Sequence, residues 1–389
     1  MKIVVWGINY APEVAGIGPF NTALCEFLSA CGNDVEMVTA FAYYPEWKIR
    51  KADRGRLFRS DVVNNVLIHR CWMYVPKRTS ILGRILHEAS FVLISLLRVL
   101  AMEKPDVFVV ISPPLLLGIA ASVAGLIKRS PFVFHVQDLQ PDAAVGLAML
   151  RKGLLTRFLY WSESFAYSRA ARVAGISLGI VNMFRKKGVP NRKLVLFPNG
   201  IRLPANLPEK GAFRRHHGFG EECFIAVYSG NLGLKQGLSV LVEAAQLLHD
   251  GKRADAEQRQ IRFVIAGDGV HRDALSATIR SAGLDNILLL PLQPEHSYRE
   301  MLADADCMLI TQQQGTGEFF FPSKLLASLA AAKPVLTVAD ASSELAKAVE
   351  AGKFGFNVPP SRPDLLAARI RAMAFPLVSA ESKMGSLIR

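Results

Sequence analysis

The stretch CFIAVYSGNLGLKQGLSVLVEAAQLL, residues 223–248, runs from a short apolar segment through a glycine turn into an amphipathic helical pattern. Strand, turn and helix in that order form the repeating unit of an α/β fold. Four more strand-like runs follow it: IRFVIAGDG (261–269), NILLLP (286–291), DCMLITQ (306–312) and KPVLTVA (333–339). Nearly continuous apolar runs of this length suit parallel strands that are covered on both faces.

The same grammar occupies the first half of the chain. KIVVWG (2–7), DVEMVTA (34–40), DVFVVIS (106–112) and FVFHVQD (132–138) are short, rich in Val, Ile and Phe, and bounded by turn residues. Between the first two, FNTALCEFLSACG (20–32) places Ala23, Leu24, Phe27, Leu28 and Cys31 on one helical face and stops at Gly32. The stretch FPNGIRLPANLPEKGAFRRHHGFGEE (197–222) is rich in proline, glycine and basic residues and marks the boundary. The expectation is α/β, with two Rossmann-like, doubly wound domains over residues 1–200 and 222–389 and a linker over 201–221. Two such domains facing each other leave a central cleft lined by the carboxyl ends of both sheets, where ligands bind in these folds.

At 389 residues the chain has room for two cores, and with 51% apolar and 20% charged residues it reads as globular throughout. Its five cysteines are scattered without a CxxC pair, which fits reduced thiols and speaks against a structural zinc site. The opening MKIVVWGINY has too short an apolar run for a signal peptide and reads as a first strand. The net charge of +13 is lopsided: residues 1–200 carry 25 Lys plus Arg against 13 Asp plus Glu, and residues 201–389 carry 21 against 20. Such a field concentrates anionic partners at the first half, and nucleic acid, anionic lipid or a phosphorylated acceptor would each serve.

Three glycine turns sit at expected strand ends. In NYAPEVAGIGPF, Gly16 and Gly18 precede a helix that begins near Pro19 or Phe20, a place where backbone N–H groups approach a phosphate. GIGPFN meets only the first two glycines of G-x-G-x-x-G, and the second strand ends without an acidic residue for a ribose, so a dehydrogenase is disfavoured. YSGNLGLKQG sets Gly230, Gly233 and Gly237 around Lys235, which reads either as a point charge placed to neutralise a diphosphate or as a solvated lysine. The third turn, AGDG, contains Gly267 and Gly269, whose role is shape more than chemistry.

FHVQDLQPD puts His135 and Gln137 on one face of a strand end, with Asp138 beside them, and His135 reads either as a group looking into the cleft or as a satisfied structural histidine. In FPSKLLASLAAA, Ser323 or Pro322 starts a helix whose N-terminus is an anion site that Lys324 strengthens. Residues 76–104 carry Leu82, Ile85, Leu86, Ala89, Leu93, Leu96, Leu97 and Leu100 at helical spacing, interrupted by Arg84, His87, Glu88 and Arg98. Its longest uncharged run falls well short of the roughly 20 residues of a span. With Lys77, Arg78 and Arg84 at its start it suits either an anionic membrane surface or the cover of a Rossmann-like sheet.

Taken in order, NYAPEVAGIG, YYPEW (43–47), VQDLQPD, FPNGI, YSGNLGLKQGL, AGDG, PLQP and FPSKLLASLAAAKPVL resemble the retaining GT-B glycosyltransferases of family 4, and within it the exopolysaccharide enzymes of the colanic-acid fucosyltransferase type. The resemblance implies transfer of a hexosyl unit from a nucleotide-sugar donor, with retention, to a lipid-linked saccharide acceptor. It implies no obligatory metal or other cofactor. It places the work at the cytoplasmic face of the cell membrane, peripheral on an anionic membrane surface and without nucleic acid as partner, and the basic first half would face that membrane.

By that likeness Gly16, Gly18, Gly230, Asn231, Gly233, Gly267, Gly269 and Ser323 lie on the donor side, with Lys235 and Lys324 at the diphosphate. Glu318 resembles the first glutamate of the family's paired motif, near the transferred sugar. Glu13, His135, Gln137 and Asp138 fall on the acceptor side. The chain departs from the family pattern at Asn231, where an arginine is common, at Gln236, where a lysine is common, and at Gln137, where many members have histidine. Leu326 and Ala327 occupy the candidate positions of the second glutamate. These departures motivate a second expectation, a catalytically silent GT-B scaffold that binds lipid-linked saccharide or a partner enzyme. An epimerase on the same fold is disfavoured, since no pair of carboxylates is apparent for acid–base work.

Overall fold

The computed structural model describes residues 1–13, 16–44, 46–76, 81–146, 153–201, 207–251, 260–317 and 322–375. The chain divides into two compact units, Met1–Arg202 and Leu203–Arg389.

The first unit is built on β1 (Lys2–Trp6), β2 (Asp34–Ala40), β3 (Phe58–Val63), β4 (Val66–Cys71), β5 (Val107–Ser112), β6 (Phe132–Val136), β7 (Arg172–Gly175) and β8 (Leu194–Leu196). Its helices are α1 (Gly18–Ala30), α2 (Ile81–Ala101), α3 (Leu117–Lys128), α4 (Gln140–Gly146), α5 (Leu154–Arg169) and α6 (Leu178–Lys186). The strands form one sheet in the order β3-β4-β2-β1-β5-β6-β7-β8, parallel except for the antiparallel pair β3 and β4. Val4, Val5 and Trp6 are completely buried, as a central strand covered on both faces requires. The sheet grows in one direction from β1 through β2 and in the other from β5, so its switch point lies between β1 and β5.

Two elements depart from expectation. The hairpin of β3 and β4 turns on Asn64 and Asn65, both with positive φ, the conformation that a two-residue hairpin turn demands and asparagine tolerates. The half-exposed, charged β3 carries no apolar alternation to announce it. In α1 the expected apolar face holds in part: Leu24 and Leu28 pack against the core, and Gly18, Phe20, Asn21 and Cys25 are buried, whereas Phe27 is 66% exposed and Cys31 is exposed. Ala23, Leu24 and Phe27 line an open groove of about 690 Å³ with Phe20, Asn21, His135 and residues 197–201.

Helix α2 covers the sheet along its length, with His87, Phe91, Ser95 and Val99 turned inward and Trp6 Nε1 donating to Ser95 Oγ at 2.9 Å. Leu82, Ile85, Leu86, Leu93 and Leu97 point outward. Among the described residues no helix is long and apolar enough to cross a membrane.

The second unit contains α7 (Ala212–His216), β9 (Phe224–Ser229), α8 (Ser239–Gly251), β10 (Ile261–Ala266), α9 (Arg272–Ser281), β11 (Ile287–Leu290), α10 (Glu295–Asp304) and β12 (Cys307–Thr311). It continues with α11 (Lys324–Ala330), β13 (Val335–Val338), α12 (Glu344–Gly352), β14 (Gly355–Val358) and α13 (Pro363–Ala374). The sheet runs β11-β10-β9-β12-β13-β14, all parallel. Val240, Ala244 and Leu248 repeat every four residues on the buried face of α8, which packs with α13 over one side of the sheet. Helix α7, inside the stretch expected as a linker, is built into this unit. Arg214 is buried there, donating to Asp306 Oδ2 at 2.9 Å and to the Cys223 carbonyl at 2.6 Å.

Candidate functional site

In the second unit the strand order reverses between β9 and β12, so the switch point lies outside the carboxyl ends of Ser229 and Thr311. The turn after β9 and the start of α11 after β12 meet there. Gly230 has φ +133°, and its missing side chain is what gives Lys324 room: a Cβ at 230 would stand 2.5 Å from the lysine Cε. Lys324 Nζ donates to the hydroxyl of Tyr228 and lies 3.8 Å from the centre of that ring. Tyr228, wholly buried on β9, donates its own hydroxyl hydrogen bond to the Asn231 carbonyl at 2.7 Å.

Burial pushes the Lys324 ammonium down to about 7, and the positive charge of Lys235 adds to the effect. Two cations are therefore held near one another without a carboxylate among the causes that set the Lys324 charge. An anion arriving between them relieves both costs. Lys235 is half-buried on the 3₁₀ turn Leu234–Gln236, and its carbonyl accepts from Gln313 N at 2.8 Å, tying the turn to the segment after β12. Gln236 faces inward, where its Oε1 accepts from Gly233 N at 3.1 Å and its carbonyl accepts from Thr311 Oγ1 at 2.6 Å. The Gln236 side chain is thus structural, and the cation on this turn is Lys235.

The AGDG turn acts on shape. A Cβ at Gly267 would collide with the Gly230 carbonyl oxygen, and one at Gly269 would press on Leu232 O and Asn231 Oδ1. Leu232 N donates to Asp268 O at 2.8 Å and Gly230 N to Ala266 O at 2.8 Å, so the two glycine turns clasp each other backbone to backbone. Ser323 occupies the N-cap position of α11 but makes no side-chain capping bond, and the helix is only seven residues long. Glu318 lies outside the described residues, as do Lys77 and Arg78.

In the first unit the loop after β1 is organised by Glu13. Its Oε1 accepts from the backbone N–H groups of Tyr43 and Tyr44, each at 3.0 Å, and its Oε2 from Asn9 Nδ2 at 2.7 Å. Burial raises its carboxyl above the usual range while these bonds pull it back. Glu13 therefore pins Tyr43 and Tyr44 to the loop after β1, and a Cβ on Gly18, the first residue of α1, would stand 3.1 Å from the Glu13 carbonyl oxygen. The helix starts at Gly18, slightly before the expected position.

His135 and Gln137 do share a face, and both are buried against the segment after β8. His135 Nε2 donates to the Phe197 carbonyl at 2.9 Å, and the two rings stack with centres 4.8 Å apart. Burial drives the imidazole down to about 4, so it is neutral, with the proton on Nε2. Gln137 and Asn199 exchange paired amide bonds of 3.0 and 2.5 Å. Asp138 sits half-buried next to them. Within each unit the candidate residues gather at sheet carboxyl ends, with Lys324, Lys235, Gly230, Asn231 and Gly233 in one and Glu13, Gly16 and Gly18 in the other. Tyr228 escaped the sequence reading, because a tyrosine inside an apolar run has no signal beyond its strand. Among the described residues no group of three His, Cys, Asp or Glu side chains is placed to hold a metal ion.

Residues 15–200 match the glycosyl transferase 4-like domain, and residues 209–374 match the glycosyl transferases group 1 domain. The chain is 31% identical to a protein of Escherichia coli (strain K12) named as a colanic acid biosynthesis glycosyl transferase, WcaI, over 95% of this chain and 91% of the relative. Among solved structures it is similar to sucrose-phosphate synthase from Thermosynechococcus elongatus, at a TM-score of 0.71 and 17% identity over 97% of this chain and 90% of that one. It is also similar to Anabaena HepE in complex with UDP-glucose, at a TM-score of 0.64 and 15% identity over 96% and 93%. The two parallel-sheet units are those of the GT-B fold, and the chain belongs to the family 4 glycosyltransferases.

Proposed function

We propose that this glycosyltransferase moves a hexosyl unit, with retention of configuration, from a nucleoside-diphosphate sugar to a lipid-linked saccharide in exopolysaccharide or other cell-surface polysaccharide biosynthesis. The observation that carries the reading is the pairing of Lys324 and Lys235 at the switch point of the second unit. As the sugar–oxygen bond breaks, the sugar becomes cationic and negative charge gathers on the departing diphosphate. Two cations and the glycine turn at 230–233 stabilise that charge where it develops. Because they supply the positive charge themselves, transfer needs no obligatory metal. The colanic acid relative supports the polysaccharide assignment, and the HepE complex supports a nucleotide-sugar donor.

Glu13, His135, Gln137 and Asp138 define the acceptor side in this reading, chiefly by holding the two loops that shape it. The protein works peripherally on the cytoplasmic face of the membrane, where a lipid-linked acceptor resides. A layer of three adjacent helices supports this. Outward-facing Leu86 and Leu93 of α2, Leu126 and Ile127 of α3, and Phe158 and Trp161 of α5 form its apolar surface. The exposed charges on that layer include Arg84, Arg129, Arg157 and Arg169, and the exposed acid beside it is Glu103, just past the end of α2 and paired with Lys2. Its acids are held elsewhere: Glu163 is buried on Lys187, and Glu88 accepts from Gln140. Apolar area rimmed mostly by cations fits an anionic bilayer.

Calorimetry with GDP, UDP and their sugars in chelator tests the donor assignment, and failure of all of them to bind would remove it. Binding of a donor without transfer to any lipid-linked acceptor would favour the scaffold.

A further inference from the structure

Tyr228 has a hydroxyl with two fixed duties. Its proton is committed to the Asn231 carbonyl at 2.7 Å, so its free lone pair is turned toward Lys324 Nζ, which donates to it. The ring beneath is wholly buried and cannot swing aside. The ammonium meets the ring 3.8 Å from its centre, and Gly230 leaves the slot through which the lysine stem passes. Lys324 is thus clamped from below by a phenol and from the side by a glycine, on a turn whose backbone would contact the same ligand.

We infer that Tyr228 is a positioning residue for diphosphate recognition, orienting the Lys324 ammonium toward the donor's phosphates and keeping it available as a donor. The inference rests on the reading of Lys324 as a diphosphate ligand. Three consequences follow from the geometry. A long lysine side chain normally samples many rotamers, and ordering it in advance removes that cost from binding. A hydrogen bond accepted from an ammonium favours its charged form, and that opposes the burial and the Lys235 charge which disfavour it. The bond to Asn231 O makes the same phenol a strut for the glycine turn, so ammonium and turn keep one register. Among the described residues, the titratable groups that face Lys324 are Tyr228 from β9 and Lys235 from the turn.

The test is the Tyr228→Phe variant, which keeps the ring and its packing and removes only the hydroxyl. Nucleoside diphosphate and the matching nucleoside are titrated into both proteins by calorimetry across about pH 6 to 9. Diphosphate affinity is expected to fall about tenfold, with nucleoside affinity unchanged. The decline of diphosphate affinity with rising pH is expected to begin at lower pH in the variant, because the charged lysine has lost an acceptor. Combined with Lys324→Met, the tyrosine change is expected to add much less than it does alone, any remainder coming from the strut to the Asn231 carbonyl. Equal affinities and equal pH profiles in wild type and Tyr228→Phe would overturn the positioning role while leaving the donor site intact. Additive losses in the double variant would overturn it as well. If Lys324→Met by itself leaves diphosphate affinity unchanged, the reading of Lys324 as a ligand fails, and the role of Tyr228 fails with it.

Discussion

Lys324 crosses Gly230 so closely that a Cβ at 230 would stand 2.5 Å from the lysine Cε. The lysine and the glycine come from different strand ends, β12 and β9, so the contact records how the two ends meet. Gly230→Ala is therefore expected to displace the lysine and to strain a backbone held at φ +133°. Nucleoside diphosphate affinity should drop about tenfold or more, with a smaller loss for the nucleoside. Calorimetry on the folded variant checks it, and unchanged affinity would show that the slot is irrelevant to binding.

Lys235→Ala removes a point charge from the same turn without touching Gln236, the residue that braces it. Binding of nucleoside diphosphate should weaken more than binding of nucleoside. A second effect is opposite in sign: Lys324 loses a repelling neighbour, so its ammonium titrates at higher pH. Diphosphate affinity in the variant should hold to higher pH than in wild type. An equal loss for nucleoside and diphosphate would argue against a phosphate contact.

His135 makes the first unit sensitive to acid. Its imidazole is held neutral down to about 4 in the folded protein, below an ordinary value of 6.5. The unfolded chain therefore takes up a proton that the folded one refuses. This contribution to stability is fully present above about pH 6.5 and is lost as the pH falls toward 4. Between about pH 7 and pH 5 the loss amounts to about 2 kcal/mol. Urea unfolding of wild type and His135→Gln at both pH values tests it, and parallel losses in the two proteins would exclude the histidine as the cause.

Phe158, Trp161 and Phe165 stack along α5, with centres 5.9 and 5.5 Å apart. Replacing Phe158 and Trp161 by Glu puts acids on a face whose exposed charges are mostly basic. Sedimentation with vesicles containing anionic lipid should fall sharply, and nucleoside diphosphate binding should be retained. Charge reversal at Lys77, Arg78 and Arg84 should weaken sedimentation at moderate salt, more at low ionic strength than at high. Unchanged sedimentation in both sets would leave the helices as sheet cover alone.

Gly267→Ala drives a methyl group into the Gly230 carbonyl. Overpacking of this kind costs about 1–3 kcal/mol, or more where both neighbours are backbone. Chemical denaturation should show the loss, and a variant as stable as wild type would mean that the two turns do not clasp in solution.

Alternating strand and helix segments were legible because their signals are local: apolar runs of strand length, glycine stops and the turn at 230–237 each lie within a few residues. The hairpin of β3 and β4 was missed because an edge strand that is wet on both faces has no alternation, although Asn64-Asn65 is itself a turn signal. The misplacing of Phe27 and Cys31 on the buried face of α1 has a different cause. Periodicity locates an apolar stripe, but whether Phe27 meets a core or a groove depends on what lies beside the helix.

The order of residues by itself determined the α/β architecture, the lopsided charge, and the candidacy of Lys235, Lys324 and the glycine turns. Only the tertiary structure decided which of these groups meet. Tyr228 and Lys324 are 96 residues apart in the chain and share one hydrogen bond. His135, an apparent chemical group, is neutralised by burial against Phe197. The physical reason is the same in both cases. A side chain's charge and reach are set by neighbours brought from other strands, and the dielectric they create is a property of the packed fold.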